Sequence, residues 1–128
     1  MEIIMSEHRR ATIRTIPQTS DLNLNGNIFG GWVLAQMDLA GGDVASRHAQ
    51  GPVATVAVEG MKFHIPIELG DVISIYADVE KVGRTSMTIA IEVFAERGIE
   101  RSTHRVTEGR YIFVAIDENG RPRPVDAE

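Results

Sequence analysis

The residue best suited to chemistry in this sequence is Asp38, a single carboxylate within the otherwise apolar stretch 26–42. A helix that is apolar nearly all round is normally buried. An ionised carboxylate without partners in such a place is very costly, so it is paired, protonated or functional. The residues alone leave two interpretations equally open, a catalytic group and a buried carboxylate satisfied by a structural partner.

Two adjacent glycines, Gly30 and Gly31, stand where this helix is predicted to begin. Unpaired backbone N–H groups and the helix dipole favour negative charge there, so the donors could bind a phosphate or polarise a carbonyl oxygen. Asp38 follows Gly31 by seven residues and therefore shares its helix face. A carboxylate base so placed could activate water against an acyl carbonyl, and Asn27 could orient that water or hold the substrate. Glycine pairs usually mark turns or packing, however, and an asparagine that follows a glycine, as Asn27 does, is most often a turn residue.

A second candidate region is a turn that carries two cations and two hydroxyls around a glycine. It consists of Lys81, Gly83, Arg84, Thr85 and Ser86, with Val82 between the first two. Taken by themselves these residues favour an ordinary solvated turn, because exposed charges are the default at protein surfaces.

Length and composition predict one soluble domain, residues 1–128, with an irregular tail over about 119–128. The net charge of −5 argues against a nucleic-acid partner. The absence of cysteine excludes disulfides, a thiol nucleophile and a cysteine-based zinc site, and it fits a cytoplasmic location. The four histidines have no metal-ligand spacing, so no metal is expected. No membrane span and no signal peptide are predicted.

Apolar periodicity predicts one helix among several strands. A first strand is expected within 9–16, a loop over 17–26, and a helix from Gly30 to about 47 or 48. Alternating patterns then predict strands over 53–63, 73–79, 87–95 and about 105–116, separated by turns near Gly70, Gly83 and Gly98. Consecutive strands should be antiparallel neighbours. The predicted fold is α+β, with a five-stranded antiparallel sheet wrapped around one long central helix, and Gly41-Gly42 allowing their close approach.

The stretches GNIFGGWVLAQMDLAGG, VATVAVEGMKF, IPIELGDVI, VEKVGRTSM and YIFVAIDENGRPRPV together resemble the YciA-type acyl-CoA thioesterases of the hotdog fold. The resemblance runs from about Thr15 to Val125, and the glycine pair, the aspartate seven residues on and the later strands match in order. It implies hydrolysis of acyl-CoA to free acid and coenzyme A, with no cofactor beyond the coenzyme A of substrate and product. It also implies a homodimer as the catalytic unit, assembled into a hexamer.

The same resemblance assigns roles to particular residues. Asp38 corresponds to the general base or nucleophile, and the Gly31 N–H to the donor that faces the thioester oxygen. Asn23, Phe29 and Gly30 fall in the substrate-binding region, and the turn of Lys81 to Ser86 near the nucleotide part of coenzyme A. Members of the bacterial type often carry aspartate where this chain has Asn27, whereas related two-domain thioesterases place asparagine there. The resemblance thus implies a site shared between Asn27 of one subunit and Asp38 of the other.

Two alternatives to a thioesterase remain open in the sequence. A hotdog hydratase or dehydratase typically needs a catalytic histidine, and the helix has none before His48. A non-catalytic acyl-CoA sensor usually carries a DNA-binding segment, for which residues 1–14 are too short.

Overall fold

The computed structural model describes residues 9–126 and follows the predicted order of one strand, one helix and four strands. Its elements are β1 (Ile13–Thr15), a single 3-10 turn (Thr19–Asp21), α1 (Gly30–Ala49), β2 (Val53–Phe63), β3 (Val72–Val82), β4 (Ser86–Arg97) and β5 (Ser102–Ala115). The predicted bounds of β2 agree with the structure. The first strand is shorter than the predicted 9–16, and β5 begins three residues before the predicted 105.

Local sequence explains where α1 begins and ends. Phe29 precedes the first helical residue in an extended conformation. At the other end Gln50 adopts a left-handed conformation with φ 54°, and its N–H donates to the carbonyls of Ser46 and Arg47. Pro52 follows and cannot continue the helix. The basic residue Arg47 in the last turn also suits the negative end of the helix dipole.

The sheet is antiparallel throughout, in the order β1-β3-β4-β5-β2. The hairpins β3–β4 and β4–β5 confirm the prediction that consecutive strands are neighbours, but for β2 and β3 it is wrong, because β2 pairs with β5. Three strand spacings separate β2 from β3, roughly 14 Å. The connection 64–71 spans that gap, which a two-residue hairpin turn could not do.

The connection 64–71 is fixed in place by an ion pair between a buried aspartate and a partly exposed arginine. Asp71 is buried, and both of its carboxylate oxygens accept hydrogen bonds from Arg97, at 2.9 and 2.7 Å. These bonds raise the pKa of the Arg97 guanidinium, which also donates to the Pro66 carbonyl at 3.0 Å. The carbonyl of Ile67 in turn accepts the Ile28 N–H at 2.9 Å. The chain leading into α1 is therefore anchored to the same end of the sheet as Arg97.

One face of α1 packs on one face of the sheet. Its buried residues are Val33, Met37, Ala40, Gly41, Ala45 and Ala49. They meet inward-facing residues of the strands, which include Ile73, Ile75, Ile89, Ile91, Tyr111 and Phe113. The expectation of a helix buried on all sides is wrong for the single chain, since Leu39 is 62% exposed and Asp38 only half-buried. The apolar face that carries Leu39 has no covering within one chain.

The tail forms no helix or strand over 119–126, yet it is docked on the domain. Arg123 Nη2 donates to the Ala49 carbonyl at 2.8 Å, at the end of α1. Val125 is buried, and its N–H donates to the Arg84 carbonyl at 2.8 Å. The last two residues of the predicted tail, 127–128, lie outside the described residues.

The two glycines in the middle of α1 differ in how closely the sheet approaches them, and this yields a matched prediction. A Cβ on Gly41 would lie 2.9 Å from both Ile91 Cδ1 and Phe113 Cε2, whereas one on Gly42 would lie 3.7 Å from Phe113. Gly41→Ala should lower the free energy of unfolding by about 1–2 kcal/mol, because overpacking outweighs the gain in helix propensity. Gly42→Ala should raise it by up to about 1 kcal/mol.

Urea unfolding at one fixed protein concentration measures this difference. If both variants changed the free energy of unfolding by the same amount and in the same direction, the sheet would not approach Gly41 more closely than Gly42.

Candidate functional site

The Asp38 side chain lies at the edge of α1 that faces β2. Its Oδ1 accepts a hydrogen bond of 2.6 Å from the hydroxyl Oγ1 of Thr55, on the first part of β2. A hydrogen bond to an ionised group is short and strong, so it fixes the orientation of the carboxylate. Oδ2 has no recorded hydrogen bond within the described residues, and Asp38 is half-buried. A water molecule or an acyl group can therefore reach it.

Thr55 is the site residue that the sequence analysis missed. The sequence predicts it only as a member of the strand 53–63, where threonine is common because it suits β-structure. No spacing rule connects it with Asp38, which is seventeen residues earlier. The contact exists because α1 crosses the sheet beside the first residues of β2, and only the packing of the helix on the sheet reveals it.

Thr55→Val should lower kcat for the reaction of this site by about tenfold or more, since a hydrogen bond to a charged group contributes roughly 1.5–3 kcal/mol. Valine keeps the shape and suits a strand, so the loss would come from a carboxylate that is no longer held in one orientation. Thr88→Val on the outer face of β4 is the matched control. Steady-state kinetics measure both; equal kcat values for the two variants would remove Thr55 from the site.

Tyr111, on β5, contacts the turn of α1 that leads to Asp38. Its hydroxyl donates to the Leu34 carbonyl at 2.8 Å, and this carbonyl also accepts the helical N–H of Asp38. Burial, with a smaller contribution from the negative charge of Asp38, raises the pKa of Tyr111 to about 12. The phenol therefore stays neutral and remains a donor at physiological pH. It fixes the backbone of the segment on which Asp38 stands.

The N-terminus of α1 is bare, as the glycine pair predicted. The side chain of Phe29, directly before the helix, supplies no capping hydrogen bond. A Cβ on Gly30 would meet no atom of the described residues within 4 Å apart from its chain neighbours and the backbone of the helix, while one on Gly31 would meet the Phe29 ring at 3.3 Å. The first N–H groups of a helix have no partner inside it, so these donors can bind a ligand oxygen.

The loop before the helix holds Asn27 by its backbone and leaves its side chain free. The Asn23 Oδ1 accepts the N–H groups of Asn25 at 2.8 Å and of Asn27 at 3.1 Å. The Asn23 N–H donates to the Asn27 carbonyl at 2.7 Å. The structure thus gives Asn23 a role in closing the loop. The side-chain amide of Asn27 makes no recorded hydrogen bond to any other described residue, and it can act on a ligand.

The turn between β3 and β4 lies at the end of the sheet opposite Gly30 and Gly31. The Gly83 N–H donates to the Ser86 carbonyl at 2.8 Å, and the Thr85 carbonyl accepts the Ala115 N–H at 2.9 Å. Lys81 and Arg84 are exposed, and over residues 9–126 neither forms an ion pair. Two uncompensated cations can bind anionic groups such as phosphates.

One chain does not bring these candidate residues together. At 1.5 Å per residue, Gly31 and Asp38 are separated by roughly 10 Å along the helix axis, whereas a single carbonyl group has to lie roughly 3 Å from both its activating donor and its attacking group. The turn of Lys81 and Arg84 lies beyond the far end of the helix, beside the docked tail. Asp38 has its Thr55 partner within the chain, but its distance from the bare N–H groups is large for one active site.

Other kinds of site find no support in the described part of the chain. Residues 9–126 contain no group of three or more histidine, aspartate or glutamate side chains that could hold a metal ion. Within the same range, no helix is long and apolar enough to cross a membrane.

Comparison with known proteins assigns this arrangement to a family. Residues 25–102, from the loop of Asn27 to the start of β5, match the family model described as the thioesterase superfamily. The chain belongs to the thioesterase superfamily. The match covers α1 with Asp38, Thr55 on β2 and the turn of Lys81 to Ser86, so all of these candidates lie within the family domain of this thioesterase.

Curated relatives and solved structures agree with that assignment. The acyl-CoA thioester hydrolase YciA of Salmonella typhimurium is 42% identical over 119 residues, which cover 91% of this thioesterase and 90% of the relative. The hexameric thioesterase of Yersinia pestis is 40% identical with a TM-score of 0.88, covering 96% of this chain and 100% of that one. A hexameric broad-specificity acyl-coenzyme A thioesterase is 41% identical with a TM-score of 0.86, and the match covers 97% of this chain and 86% of that one.

The fold of this thioesterase is the hotdog fold, as the resemblance implied. A hexameric hotdog-fold thioesterase of Campylobacter jejuni is 33% identical, with a TM-score of 0.88 over 94% of this chain and 93% of that one. The long helix against one antiparallel sheet is the feature that they share.

Proposed function

We propose that this thioesterase hydrolyses acyl-CoA thioesters to a free carboxylic acid and coenzyme A. The observation that carries the proposal is the Asp38 carboxylate, held by Thr55 at 2.6 Å beside a ligand-accessible groove. The relatives named as acyl-CoA thioester hydrolases supply the substrate class. Coenzyme A enters and leaves as part of substrate and product, so the reaction needs no further cofactor. The proposal includes a cytoplasmic location, which a chain without cysteine fits.

In the proposed mechanism the thioester carbonyl lies between a carboxylate and a bare helix N-terminus. Asp38 takes the proton of an attacking water, or attacks the carbonyl itself to form an anhydride that water then hydrolyses. The Gly31 N–H, with Gly30 beside it, stabilises the negative charge that grows on the carbonyl oxygen. The side-chain amide of Asn27 holds the substrate or orients the water, and Phe29 covers one side of the glycine pair.

The active site in this proposal is shared by two subunits. The separation of roughly 10 Å between Gly31 and Asp38 within one helix argues against a site within one chain. If the same helix of a second subunit lay antiparallel to α1, its N-terminus would lie close to the middle of α1. β2 offers the surface for such a partner, because it is an edge strand of eleven residues with Val56, Val58 and Phe63 exposed. An exposed apolar edge is normally covered.

The proposed dimer would be the unit of a larger assembly, and it would also place the residues that bind coenzyme A. The Yersinia pestis thioesterase and the broad-specificity thioesterase are both hexameric, and we propose a trimer of dimers here. In a dimer with two-fold symmetry, the turn that carries Lys81, Arg84, Thr85 and Ser86 in one chain would lie near the glycine pair of the other chain. Uncompensated cations there would bind the phosphates of coenzyme A. Neither nucleic acid nor a membrane has a role in this proposal.

The test is a panel of acyl-CoAs of graded chain length, assayed by release of the free thiol. Hydrolysis of several members of the panel is the expected result. No thiol release with any member, together with measurable binding of coenzyme A by calorimetry, would overturn the proposal in favour of an acyl-CoA sensor.

A further inference from the structure

We infer that Arg123 is a positioning residue for the binding of coenzyme A, because it docks the segment 122–125 and thereby fixes the turn of Lys81 to Ser86 in one conformation. This inference rests on the proposed binding of the coenzyme A phosphates by that turn, and it adds the part of the chain that holds the turn in place. Arg123 acts through the turn and does not itself touch the ligand.

The Arg123 guanidinium joins the end of α1 to the chain after β5. Within the described residues it donates to backbone carbonyls only: Nη2 to Ala49 at 2.8 Å, Nε to Ile116 at 3.2 Å and Nη1 to Pro124 at 3.1 Å. The Ala49 carbonyl lies at the negative end of the helix dipole, where a positive charge is favourable. The planar fork of the guanidinium bonds in three directions at once, so it fixes the path of the tail past the helix.

The backbone of the segment 122–125 is docked as completely as its arginine. Its two prolines leave two N–H donors, those of Arg123 and Val125. The first donates to the Ala115 carbonyl at 2.9 Å and the second to the Arg84 carbonyl at 2.8 Å. The Val125 side chain is 4% exposed and belongs to the hydrophobic core. Both donors are therefore used, and the prolines reduce the conformational entropy that is lost on docking.

The docked tail holds the turn between β3 and β4 from outside that hairpin. The hydrogen bond from Val125 reaches the Arg84 carbonyl, and the adjacent Thr85 carbonyl accepts the Ala115 N–H at 2.9 Å. The side chains of Lys81 and Arg84 are exposed on this turn. A cation whose backbone is already fixed loses less conformational entropy when it binds a phosphate, so docking of the tail should raise the affinity for coenzyme A.

Loss of the Arg123 contacts should change binding and spare the chemical step. Asp38 is eleven residues before Ala49, roughly 16 Å away along the helix axis. Arg123→Ala is therefore expected to raise KM for an acyl-CoA by about fivefold or more, the lower end of couplings between distinct sites, with kcat nearly unchanged. The same variant should keep the wild-type kcat/KM for the N-acetylcysteamine thioester of the same acyl group, which has no phosphates.

A second variant displaces the guanidinium without removing its charge. A Cβ on Gly51 would lie 2.6 Å from Arg123 Nη2, so Gly51→Ala forces the end of the arginine away from the Ala49 carbonyl. It is expected to raise KM for the acyl-CoA and not for the N-acetylcysteamine thioester, as Arg123→Ala does. Arg110→Ala is the control, because it removes the same charge from a side chain that is 53% exposed on the opposite face of the sheet from α1.

A double-mutant cycle tests whether Arg123 acts through the turn. In a chain that carries Lys81→Ala and Arg84→Ala, the cations that the tail positions are gone, so adding Arg123→Ala should raise KM no further. An additional rise of the same size would show that Arg123 binds the ligand by itself, and it would overturn the inference. An unchanged KM in Lys81→Ala/Arg84→Ala would overturn it too, since the turn would then not bind coenzyme A.

Light scattering and thermal unfolding of each variant report assembly and folding. If Arg123→Ala does not fold, Gly51→Ala carries the test. Equal losses with the acyl-CoA and with the N-acetylcysteamine thioester would show a general structural role and overturn the inference.

The inference and the proposed function fail in different ways. Normal hydrolysis with an unchanged KM in Arg123→Ala and Gly51→Ala would overturn the inference and leave the proposed function intact. If the wild type hydrolyses no acyl-CoA, the proposed function fails, and calorimetry with coenzyme A takes the place of KM. Weaker binding by Arg123→Ala than by the wild type and Arg110→Ala would still support the inference. Equal binding by all three proteins would overturn it as well.

Discussion

Replacing Asp38 with asparagine is expected to lower kcat for acyl-CoA hydrolysis by roughly 10²- to 10⁴-fold, the range that a positioned general base contributes. Asparagine has nearly the same shape and keeps an Oδ1 that can accept the 2.6 Å hydrogen bond from Thr55. It can neither take a proton from water nor attack the thioester. The helix, the groove and the binding of coenzyme A should therefore be preserved while turnover is lost.

The matched control for this substitution is Asp78→Asn, the same chemical change at a side chain that is 72% exposed on the sheet. Thiol release measures turnover of both variants, and calorimetry measures their affinity for coenzyme A. Near-normal hydrolysis of several acyl-CoAs by Asp38→Asn would refute the proposed mechanism. Loss of both turnover and coenzyme A binding would show a structural carboxylate instead.

Replacing Asn27 with alanine is expected to lower kcat by about 10²-fold, as loss of one positioned donor does in related chemistry. The backbone of Asn27 is held by Asn23, at 3.1 Å through Oδ1 and at 2.7 Å through N–H, and both contacts survive the substitution. The loop should therefore keep its shape, and only the free amide is removed. Asn119→Ala, in the turn after β5, is the control. Unchanged kinetics in Asn27→Ala would exclude the amide from the site.

Much of this fold could be predicted from the sequence, because its strands and its helix have clear periods. Alternating residues predicted β2 within its observed bounds, and the predicted end of α1 at about 47 or 48 lies within two residues of the observed end at Ala49. The pairing of β2 with β5 could not be predicted in this way. It depends on the connection 64–71 crossing the end of the sheet, held by Arg97 and the buried Asp71 from distant parts of the chain. Local patterns carry no information on such contacts.

The part of the candidate site that lies within one segment of the sequence could be predicted. Asp38 and the glycine pair lie on one helix, so their spacing and shared face follow from helical geometry. Thr55 and Tyr111 were not predictable, since they reach the helix from strands that come later in the chain. The half-exposed state of Asp38 was also missed. A helix that is apolar on most sides indicated burial, but one chain covers only one side of it.

The most direct test of the central claim, a thioesterase site built from two chains, is the activity of mixed subunits. Asn27→Ala and Asp38→Asn subunits are co-expressed in equal amounts, and thiol release is compared with that of each variant alone. With random pairing about a quarter of the sites combine an intact Asn27 from one chain with an intact Asp38 from the other, so about a quarter of wild-type activity is predicted. Activity no higher than that of the two variants measured separately would contradict the shared site.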